Sequence, residues 1–533
     1  MKKKNILLII LLIIFSICVV RIEFQNDTFF SIAVGRQIMD TGIDMQEHLT
    51  WHEGFTYTYS HWLFDIINIL LFNFAGFKAI YSFVVLMTII TSITLFTVLK
   101  KLNKNSYMIP FIMTVVVIIL GNQYFAARAQ IMSYVLFILE IYFIEKLLDT
   151  NKKRYIVGLI IIPIIIANVH AAMWMLYLVF FLPYFAEAFF KFIGTKAKNE
   201  RLIKRLTKRI ENEKDEQVKE KLKERLNNVK KEFELYKENF KNKESKIFIK
   251  DHKYIKTLVV VFIITIFTGL LTPIGDTPYT YILKTMGGIS PQNISELRAV
   301  IPIVDISFLL YIVIAILCVA SSKVKINLAD GFMMLGLIFM SMYSVRCIAY
   351  LLFIGAIPLT RLIFSYMSNY EYNVLDIVYE KFVEKKLILK AFFAFYMIVV
   401  ALSVFSEINL GKKFVNEKSY PVEASEYILA NLNIKDMRIF NGFNYGSYLE
   451  YKGIPVFIDS RSEMYTEQYN DTTVFQDFVD VEKGRKTYIE IFNKYNITHA
   501  LLPKNNIVTR YIVNDSNYNL IYEDDNFVLY EKI

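Results

Sequence analysis

The sequence predicts an α-helical polytopic membrane protein of about eleven transmembrane helices, followed by a soluble α/β domain at the C-terminal end. Two observations predict this class. Of the 533 residues, 55% are hydrophobic and 21% are charged, and the mean hydropathy is +0.38, whereas soluble domains are about 45–50% apolar. The apolar residues also form runs of roughly 17–23, the length that crosses a bilayer core. This composition excludes a soluble enzyme, a secreted disulfide scaffold and an ordinary nucleic-acid-binding protein.

The apolar runs set the predicted topology. The first follows Met1-Lys2-Lys3-Lys4 and extends to about Val20; we expect an uncleaved helix with its lysines inside. Residues 61–75 are apolar but short and carry Asp65, so they are predicted to lie along the outer surface. Lys100-Lys101 then lies inside. The other ten spans are predicted at 78–99, 106–121, 130–147, 155–169, 172–193, 256–272, 302–320, 329–344, 347–364 and 388–406.

Positive charge at the inner loops supports this order. Inner loops contain Lys152-Lys153-Arg154, and further lysines lie at 323, 325, 381, 385 and 386. Because cytoplasmic loops carry excess Lys and Arg, the N-terminus is expected in the cytoplasm and the C-terminal domain outside the cell membrane. The expected division is a transmembrane domain at 1–407 and an extracytoplasmic α/β domain at 408–533.

A basic insertion at 195–250 interrupts the spans on the predicted inner side. It holds 19 Lys and Arg against 11 Asp and Glu, and its apolar residues recur every three or four positions, as in an amphipathic helix. Because both ends must return to the membrane, we expect a helical hairpin. Its turn is predicted near Asn227-Asn228 or else near Asn212–Glu216. The hairpin is either a solvated spacer or a surface for a cytoplasmic partner or anionic lipid.

The last part of the chain changes composition. Residues 409–533 carry 14 Lys and Arg against 18 Asp and Glu, and they alternate between helical and strand patterns. Helices are predicted at Pro421–Leu432 and Tyr488–Tyr495. Strands are predicted at Arg438–Asn441, Pro455–Asp459 and His499–Leu502, with a closing hairpin of Asn519–Tyr522 and Asn526–Tyr530.

Polar residues that could carry chemistry concentrate in the first outer loop, residues 23–77. Asp27 has two interpretations: an N-cap for a helix over Thr28–Met39, or a general base or metal-binding carboxylate. His48 and His52 are four residues apart, as in zinc proteases, but the catalytic Glu of that motif is missing between them. Hydrogen bonding or substrate contact is therefore expected of these histidines rather than zinc binding.

The order of short motifs resembles bacterial polytopic proteins of the GT-C glycosyltransferase superfamily. In the first loop these are Asp27-x-Phe29, Gly35-Arg36, Gly42-Ile43, Gln46-Glu47, Leu49-Thr50-Trp51 and His61-Trp62-Leu63. Later ones are Ala127-Arg128-Ala129-Gln130, Ala167-Asn168-Val169-His170-Ala171, Ile294-Ser295-Glu296, Ser344-Val345-Arg346, Tyr445-Gly446-Ser447-Tyr448-Leu449 and Val456-Phe457-Ile458-Asp459-Ser460-Arg461. The resemblance covers nearly the whole chain except 195–250.

The resemblance implies an inverting GT-C-type glycosyltransferase with a sugar on polyprenyl phosphate as its donor and an acceptor reached from the outer face. Asp27 is then the first candidate for the catalytic base and Glu47 the second. Arginines at outer helix ends would bind the leaving phosphate, because the guanidinium fork donates two bonds at once; snorkelling to lipid headgroups is the alternative. The expected substrate-binding residues are Arg128, Gln130, Asn168, His170, Glu296, Arg298, Arg346 and His61.

The predicted partners are the polyprenyl-phosphate sugar donor and membrane lipid, with no nucleic acid. The sequence assigns no cofactor, and a divalent Mg²⁺ or Mn²⁺ ion is compatible with the resemblance. A non-catalytic relative that binds or presents a glycolipid or cell-envelope polymer is the closest alternative function. A transporter is the third, but transporters tend to show internal repeats, and no repeat is evident here. Asp459 and Arg461 are expected to form a structural ion pair or, alternatively, to bind the acceptor.

Overall fold

The computed structural model describes residues 2–103, 106–241, 246–285, 293–322, 324–367 and 387–533, and it is mostly helical. The helices up to the end of the insertion are α1 Lys2–Val19, α2 Asn26–Thr41, α3 Trp62–Leu102, α4 Met108–Leu120, α5 Gln130–Thr150, α6 Lys153–Val169, α7 Trp174–Val179, α8 Leu182–Ile193, α9 Thr195–Asn212 and α10 Glu216–Lys241. Those that follow before the C-terminal domain are α11 Ile255–Ile266, α12 Thr277–Thr285, α13 Ile306–Ala320, α14 Leu328–Tyr343, α15 Ile348–Phe353, α16 Ala356–Met367 and α17 Leu387–Asn409.

These helices follow the predicted apolar runs, but the number of crossings is not confirmed. Among the described residues, three helices are long and apolar enough to cross a membrane, at Trp62–Leu102, Ala171–Ile193 and Ala391–Asn409. A fourth is counted if Val345–Phe353 and Ala356–Met367, bent by 53°, form one span. Five further apolar helices are shorter. The lysines predicted for inner loops at 323, 381, 385 and 386 lie outside the described residues.

Helix α3 contains the break expected between the surface segment and the next span. Its backbone leaves helical geometry at Ala75 and Gly76, and Gly76 has a φ of +61°, a conformation that favours glycine. The first part of α3 packs tightly on α2, because a Cβ on Gly35 would lie 2.3 Å from the carbonyl oxygen of Asp65. This close approach fixes α2, which carries Asp27, against the start of α3.

The insertion is a hairpin whose turn lies at 213–215, as in the second of the two predicted alternatives. Asp215 accepts from the backbone N–H of Gln217 at 2.9 Å and so caps α10. Helices α9 and α10 pack on each other and bury Leu206 and Phe233. The chain then rejoins the membrane domain through the two-residue strand β1 (Ile247–Phe248).

Strand β1 attaches the end of the insertion to the membrane domain. It pairs in parallel with β2 (Ile326–Asn327), and the N–H of Ile326 donates to Lys246 at 2.7 Å. Beyond the strand, the buried carboxylate of Glu187 accepts from the N–H of Lys250 and contacts Nε2 of His252 at 2.5 Å. Residues from 246 onward therefore belong to the core rather than to the hairpin.

The C-terminal domain has a four-stranded sheet in the order β3-β4-β6-β5. Its strands are β3 Ile439–Phe440, β4 His499–Pro503, β5 Tyr518–Glu523 and β6 Phe527–Lys532. Strands β3 and β4 are parallel, whereas β6 is antiparallel to both β4 and β5. The helices of the domain are α18 Val422–Asn431, α19 Gly446–Lys452, α20 Glu467–Asn470, α21 Val474–Glu482, α22 Tyr488–Lys494 and α23 Ile507–Ile512.

The predicted closing hairpin and the helices at Pro421–Leu432 and Tyr488–Tyr495 are confirmed, but the strand predicted at Pro455–Asp459 is wrong. This segment makes only an isolated bridge between Val456 and Thr50 of the outer loop. The buried amide of Asn441 instead accepts from the N–H of Phe457 and donates to the carbonyl of Ile458, both at 2.8 Å. One side chain thus replaces two ladder hydrogen bonds.

Asn409, the last residue of α17, joins the C-terminal end of α17 to the C-terminal end of α1. Its buried amide donates to the carbonyl of Val20 and accepts from the N–H of Ile22, both at 2.8 Å. The N–H of Phe24 donates to Phe414 at 2.9 Å a few residues further on. The C-terminal domain therefore starts beside the first outer loop.

A buried arginine fixes the C-terminal domain onto that loop. The guanidinium of Arg461 forms ion pairs with Glu47 of the loop, with Glu450 of α19 at 2.8 Å and with Asp459 at 2.6 Å. All three carboxylates are 0% exposed. The guanidinium also lies over the ring of Tyr57, 4.8 Å from its centroid. The predicted pair of Asp459 with Arg461 is confirmed.

The carboxyl groups of this cluster, which we call the Arg461 clamp, have pKa values shifted in opposite directions. Burial and the nearby charge of Asp459 raise the pKa of Glu450 well above its usual value. Burial acts in the same direction on Asp459, but the Arg461 guanidinium holds the pKa of that carboxyl below its usual range. Burial therefore favours the neutral form of Glu450, whereas Arg461 favours the ionised form of Asp459.

We expect the hairpin to be dispensable for the membrane domain. Replacing residues 199–244 with a Gly/Ser linker should leave expression and melting temperature in detergent close to those of the full chain, because α9 and α10 pack mainly on each other. The matched variant extends the deletion to 248 and removes β1, whose two residues are exposed, and it should cost about 0.5–1.5 kcal/mol of stability per lost hydrogen bond. Equal loss of folded protein in both variants would contradict this division.

Arg461→Met should destabilise the protein by about 3–5 kcal/mol, because it leaves buried carboxylates without their cation. The matched control is Lys413→Met, which removes a cation from the pair with Glu417, where the side chains are 72% and 54% exposed, and should cost at most about 1 kcal/mol. Thermal unfolding in detergent measures both. Similar melting temperatures for the two variants would rule out a structural role for the clamp.

Candidate functional site

Asp27 lies in the first turn of α2 rather than at its N-cap. The helix begins at Asn26 and its N-cap is Gln25, so the expectation that Asp27 caps a helix starting at Thr28 is wrong. The carboxylate still benefits from the positive end of the helix dipole. Its side chain is 32% exposed, and this exposure leaves it accessible to a ligand.

Arg128 connects Asp27 to a third segment of the chain. It lies in the turn between α4 and α5, where the hydroxyl of Thr28 donates to the Ala127 carbonyl at 3.5 Å. Its Nε is 3.0 Å from Oδ2 of Asp27, and its Nη1 donates to Oε2 of Glu296 at 2.8 Å. The guanidinium therefore lies between two carboxylates that are far apart in sequence.

Glu296 is tied to the segment that carries Arg346. The N–H of Arg346 donates to the carbonyl of Glu296 at 3.1 Å, and the N–H of Val345 donates to that of Arg298 at 2.9 Å. Burial would raise the pKa of Glu296, but the charge of Arg128, with a smaller effect of Arg346, holds it below the usual value. Glu296 is therefore ionised at neutral pH.

Gln130 links Arg346 to the start of α5. With its amide oxygen facing the guanidinium, Gln130 accepts two hydrogen bonds from Arg346, one of them from Nε at 2.7 Å. Among the described residues, Arg346 makes no salt bridge. Because Gln130 is neutral, the positive charge of Arg346 is not balanced by a bonded counter-ion. This charge lies beside the carboxylates of Asp27 and Glu296.

His61 belongs to a second polar cluster at the junction of α2 and α3. Its Nδ1 is 2.8 Å from Oδ2 of Asp65, which also accepts from the hydroxyl of Ser31 at 2.6 Å. Burial alone would lower the pKa of His61, but Asp65 raises it above the usual value, and the charges of Asp27 and Glu463 act in the same direction. The neighbouring carboxylates thus favour the protonated form of His61.

Asp65 and Glu463 are contributions to this region that we did not predict. The sequence could have indicated Asp65, because it follows His61 by four residues in a helix and so lies on the same face. Glu463 accepts from the hydroxyl of Tyr281 at 2.5 Å, and it comes from the C-terminal domain. Nothing local in the sequence around it indicates that contact.

Asn168 and His170, two residues apart at the end of α6, have different surroundings. His170 is buried, and its Nδ1 lies 2.9 Å from the hydroxyl of Ser133 on α5. The backbone N–H of the next residue, Ala171, donates to the carbonyl of Ser60 at 2.8 Å, and Ser60 directly precedes His61. Asn168 instead donates to the carbonyls of Ile164 and Leu271, so its contacts are those of a helix-end bridge.

Two further candidates are bound elsewhere. Glu47 is enclosed in the Arg461 clamp, and Arg298 forms a two-bond pair with Asp305, at 2.8 and 2.9 Å. The structure therefore brings together Asp27, Arg128, Glu296, Gln130 and Arg346, with His61 nearby, and gives Glu47 and Arg298 other partners. The roles assigned to Glu47 as a base and to Arg298 in substrate binding stay predictions.

The residues present do not fit a divalent metal ion. Among the described residues, no group of three or more His, Cys, Asp or Glu side chains is arranged to hold one. Where Asp27 and Glu296 face each other, the guanidinium of Arg128 fills the position of a cation. His48 is paired with Asp44, and His52 with the carbonyl of Phe457.

A cavity of about 500 Å³ lies next to this site. It is bounded by Asn293 and Ile294, just before Glu296, and by the loop at 442–445 of the C-terminal domain. The amide of Asn26 donates to the carbonyl of Phe443 in that loop at 3.0 Å. The remaining lining includes aromatic rings and amides, among them Phe475, Phe527, Asn444 and Asn506, together with the charged residues Lys418, Glu482 and Lys483.

Comparison with known proteins supports the architecture. No protein-family model and no curated protein sequence matches the chain. The structure is similar to the crystal structure of the oligosaccharyltransferase of Archaeoglobus fulgidus in the apo form, with a TM-score of 0.55, 10% identity, and 94% of this chain and 70% of that chain covered. It is also similar to the archaeal oligosaccharyltransferase AglB from Archaeoglobus fulgidus in complex with an inhibitory peptide and a dolichol-phosphate, with a TM-score of 0.54, 8% identity and coverages of 93% and 69%. The chain therefore shares the overall fold of these oligosaccharyltransferases.

Proposed function

We propose that this protein is a membrane glycosyltransferase that moves a sugar from a polyprenyl-phosphate-linked donor to an acceptor hydroxyl at the outer face. One observation carries the proposal. Asp27, Arg128, Glu296 and Arg346 come from four separate segments, and their charged groups converge at one partly exposed place in a GT-C-like fold. Fold likeness alone would not identify a reaction, whereas a carboxylate next to unneutralised arginine charge suits this one.

The reaction is a single displacement at the anomeric carbon, which inverts its configuration. The acceptor oxygen forms a bond to that carbon while the bond from the carbon to the phosphate oxygen breaks, and polyprenyl phosphate leaves with the electron pair. The acceptor proton passes to Asp27, whose Oδ1 has no hydrogen-bond partner among the described residues. General base assistance of this kind accelerates reactions by about 10²–10⁴-fold.

Arginine charge stabilises the leaving phosphate. Arg346 is held by the neutral Gln130, so its charge is available to a ligand, and Arg128 contributes a second guanidinium close to Asp27. Preorganised cations of this kind lower the barrier when negative charge develops on the leaving group. On the side of α3, the neighbouring carboxylates favour the protonated form of His61.

The acceptor enters from the cavity at the C-terminal domain. Its volume of about 500 Å³ is within the range of small-molecule sites, about 300–1,000 Å³. Aromatic faces next to amide groups suit the apolar faces and hydroxyls of a saccharide. The donor lipid reaches the other side of Asp27 from the membrane, so donor and acceptor approach from opposite sides.

The reaction requires a defined topology, which we propose as eleven crossings. The N-terminus is then cytoplasmic, the C-terminal domain is extracytoplasmic, and residues 62–74 of α3 lie along the outer surface before the break at Gly76. A cytoplasmic partner or anionic lipid surface contacts the basic hairpin.

Non-catalytic binding of a glycolipid or cell-envelope polymer is the alternative function, and the partly exposed carboxylate of Asp27 favours catalysis over it.

Cysteine accessibility tests the topology, in a variant whose three native cysteines are replaced. A cysteine at exposed position Arg225 should react with an impermeant maleimide only after the membrane is opened, and one at Glu467 should react in intact cells. Labelling of position 225 in intact cells, or protection of position 467, would refute the proposed orientation.

Asp27→Asn should reduce sugar transfer about 10²–10⁴-fold, since the amide cannot take up the acceptor proton. Melting temperature should change little, because the lost ion pair with Arg128 is partly exposed and is worth about 1 kcal/mol or less. The assay is transfer from a polyprenyl-linked sugar in membranes that contain the protein.

Asp40→Asn is the matched control for Asp27→Asn. It removes the same charge from the same helix at an exposed position and should leave transfer at the wild-type rate. Full activity of Asp27→Asn would remove the assignment of the base. An absence of transfer by the wild type with every polyprenyl-linked donor and saccharide acceptor supplied would favour the binding function instead.

A further inference from the structure

The position of Arg128 has a consequence beyond phosphate binding. Its guanidinium contacts Asp27 at 3.0 Å through Nε and Glu296 at 2.8 Å through Nη1. The arginine side chain is 19% exposed, whereas the two carboxylates are 32% and 45% exposed. The guanidinium is thus the most buried of the three groups, and the two carboxylates lie closer to solvent.

Two carboxylates that face a common point are the donor set that a hard divalent cation uses, since Mg²⁺ and Mn²⁺ prefer carboxylate oxygens together with water or phosphate. In this protein a guanidinium occupies that point. Arginine stays protonated at any physiological pH, and the Asp27 and Glu296 charges raise the pKa of Arg128 further above its usual value, against the effect of burial. The cation is therefore permanent.

The surroundings also oppose exchange of Arg128 for a metal ion. The backbone of the Arg128 turn is held by the contact between Thr28 and the Ala127 carbonyl. A metal ion would have to displace a charged side chain that contacts both carboxylates.

We propose that Arg128 takes the place of a metal ion in this site, so that the carboxylate pair is positioned by a guanidinium and the protein needs no divalent cation there. The part of this inference that concerns sugar transfer rests on the proposed function. The part that concerns metal binding does not. Removing the guanidinium should convert Asp27 and Glu296 into a site that binds a divalent cation.

Mn²⁺ is the probe, because the electron paramagnetic resonance signal of the free aqueous ion is lost on binding. The purified full-length protein in detergent is titrated with Mn²⁺ as wild type, D27N, R128Q and the double variant D27N/R128Q. The control R298Q removes an arginine that is paired with one carboxylate, Asp305, instead of two. Thermal unfolding of each variant verifies that it is folded.

The wild type and D27N should give the same titration, since Asp27 holds no metal ion. R128Q should gain saturable Mn²⁺ binding, and D27N/R128Q should bind at least about tenfold more weakly than R128Q, because a ligand is missing. R298Q should gain none. If R128Q does not fold, the comparison of wild type with D27N still decides: binding by the wild type that D27N removes would overturn the proposal.

The same proteins separate this inference from the proposed function. When the wild type transfers sugar, excess EDTA should leave its rate unchanged, and a loss of transfer that Mn²⁺ or Mg²⁺ restores would overturn the metal-free assignment. When the wild type transfers no sugar, the proposed function fails, and the Mn²⁺ titrations alone decide about Arg128. A folded R128Q that gains no Mn²⁺ binding would also overturn the proposal.

Discussion

The buried guanidinium of Arg461 is the interaction on which the arrangement of the outer face depends. It connects Glu47 of the first outer loop with Glu450 and Asp459 of the C-terminal domain, and none of these groups reaches solvent. The guanidinium also lies over the ring of Phe30 on α2, which places the clamp one helical turn away from Asp27. Removing a partner from a buried charge is strongly destabilising. The first outer loop, the C-terminal domain and helix α2 are therefore held in a single arrangement.

The candidate site depends on that arrangement. Asp27 reaches Arg128 only if α2 keeps its angle against α3, and the close approach of Gly35 to the Asp65 backbone permits no larger side chain there. The clamp supports α2 from the side of the C-terminal domain, and α3 supports it from the other. The carboxylate is thus rigidly placed although it is partly exposed, which is what proton transfer in a fixed geometry requires.

Much of the fold could be predicted from the sequence because its signals are local. Runs of apolar residues gave helices at 130–147 and 155–169, and the structure has Gln130–Thr150 and Lys153–Val169. The start of α2 and the segment Pro455–Asp459 were wrong, because in both places a contact with a distant residue replaces the local pattern. The structure places several of the candidate residues together, but the sequence did not indicate which of them pair. Glu47 and Arg461 are 414 positions apart, and a single sequence has no pattern that joins them.

The hydrogen bonds of Asn409 to residues 20 and 22 have a consequence for biosynthesis. A ribosome emits α1 first and α17 almost four hundred residues later, so Val20 and Ile22 lack these two hydrogen bonds during most of translation. Helix α1 can already pack on α3 and α4 at that stage, and Arg21 can bond to Asn122. Asp27 and Arg128 can also meet early, but the contacts of the C-terminal domain with this region form only after α17 has been made.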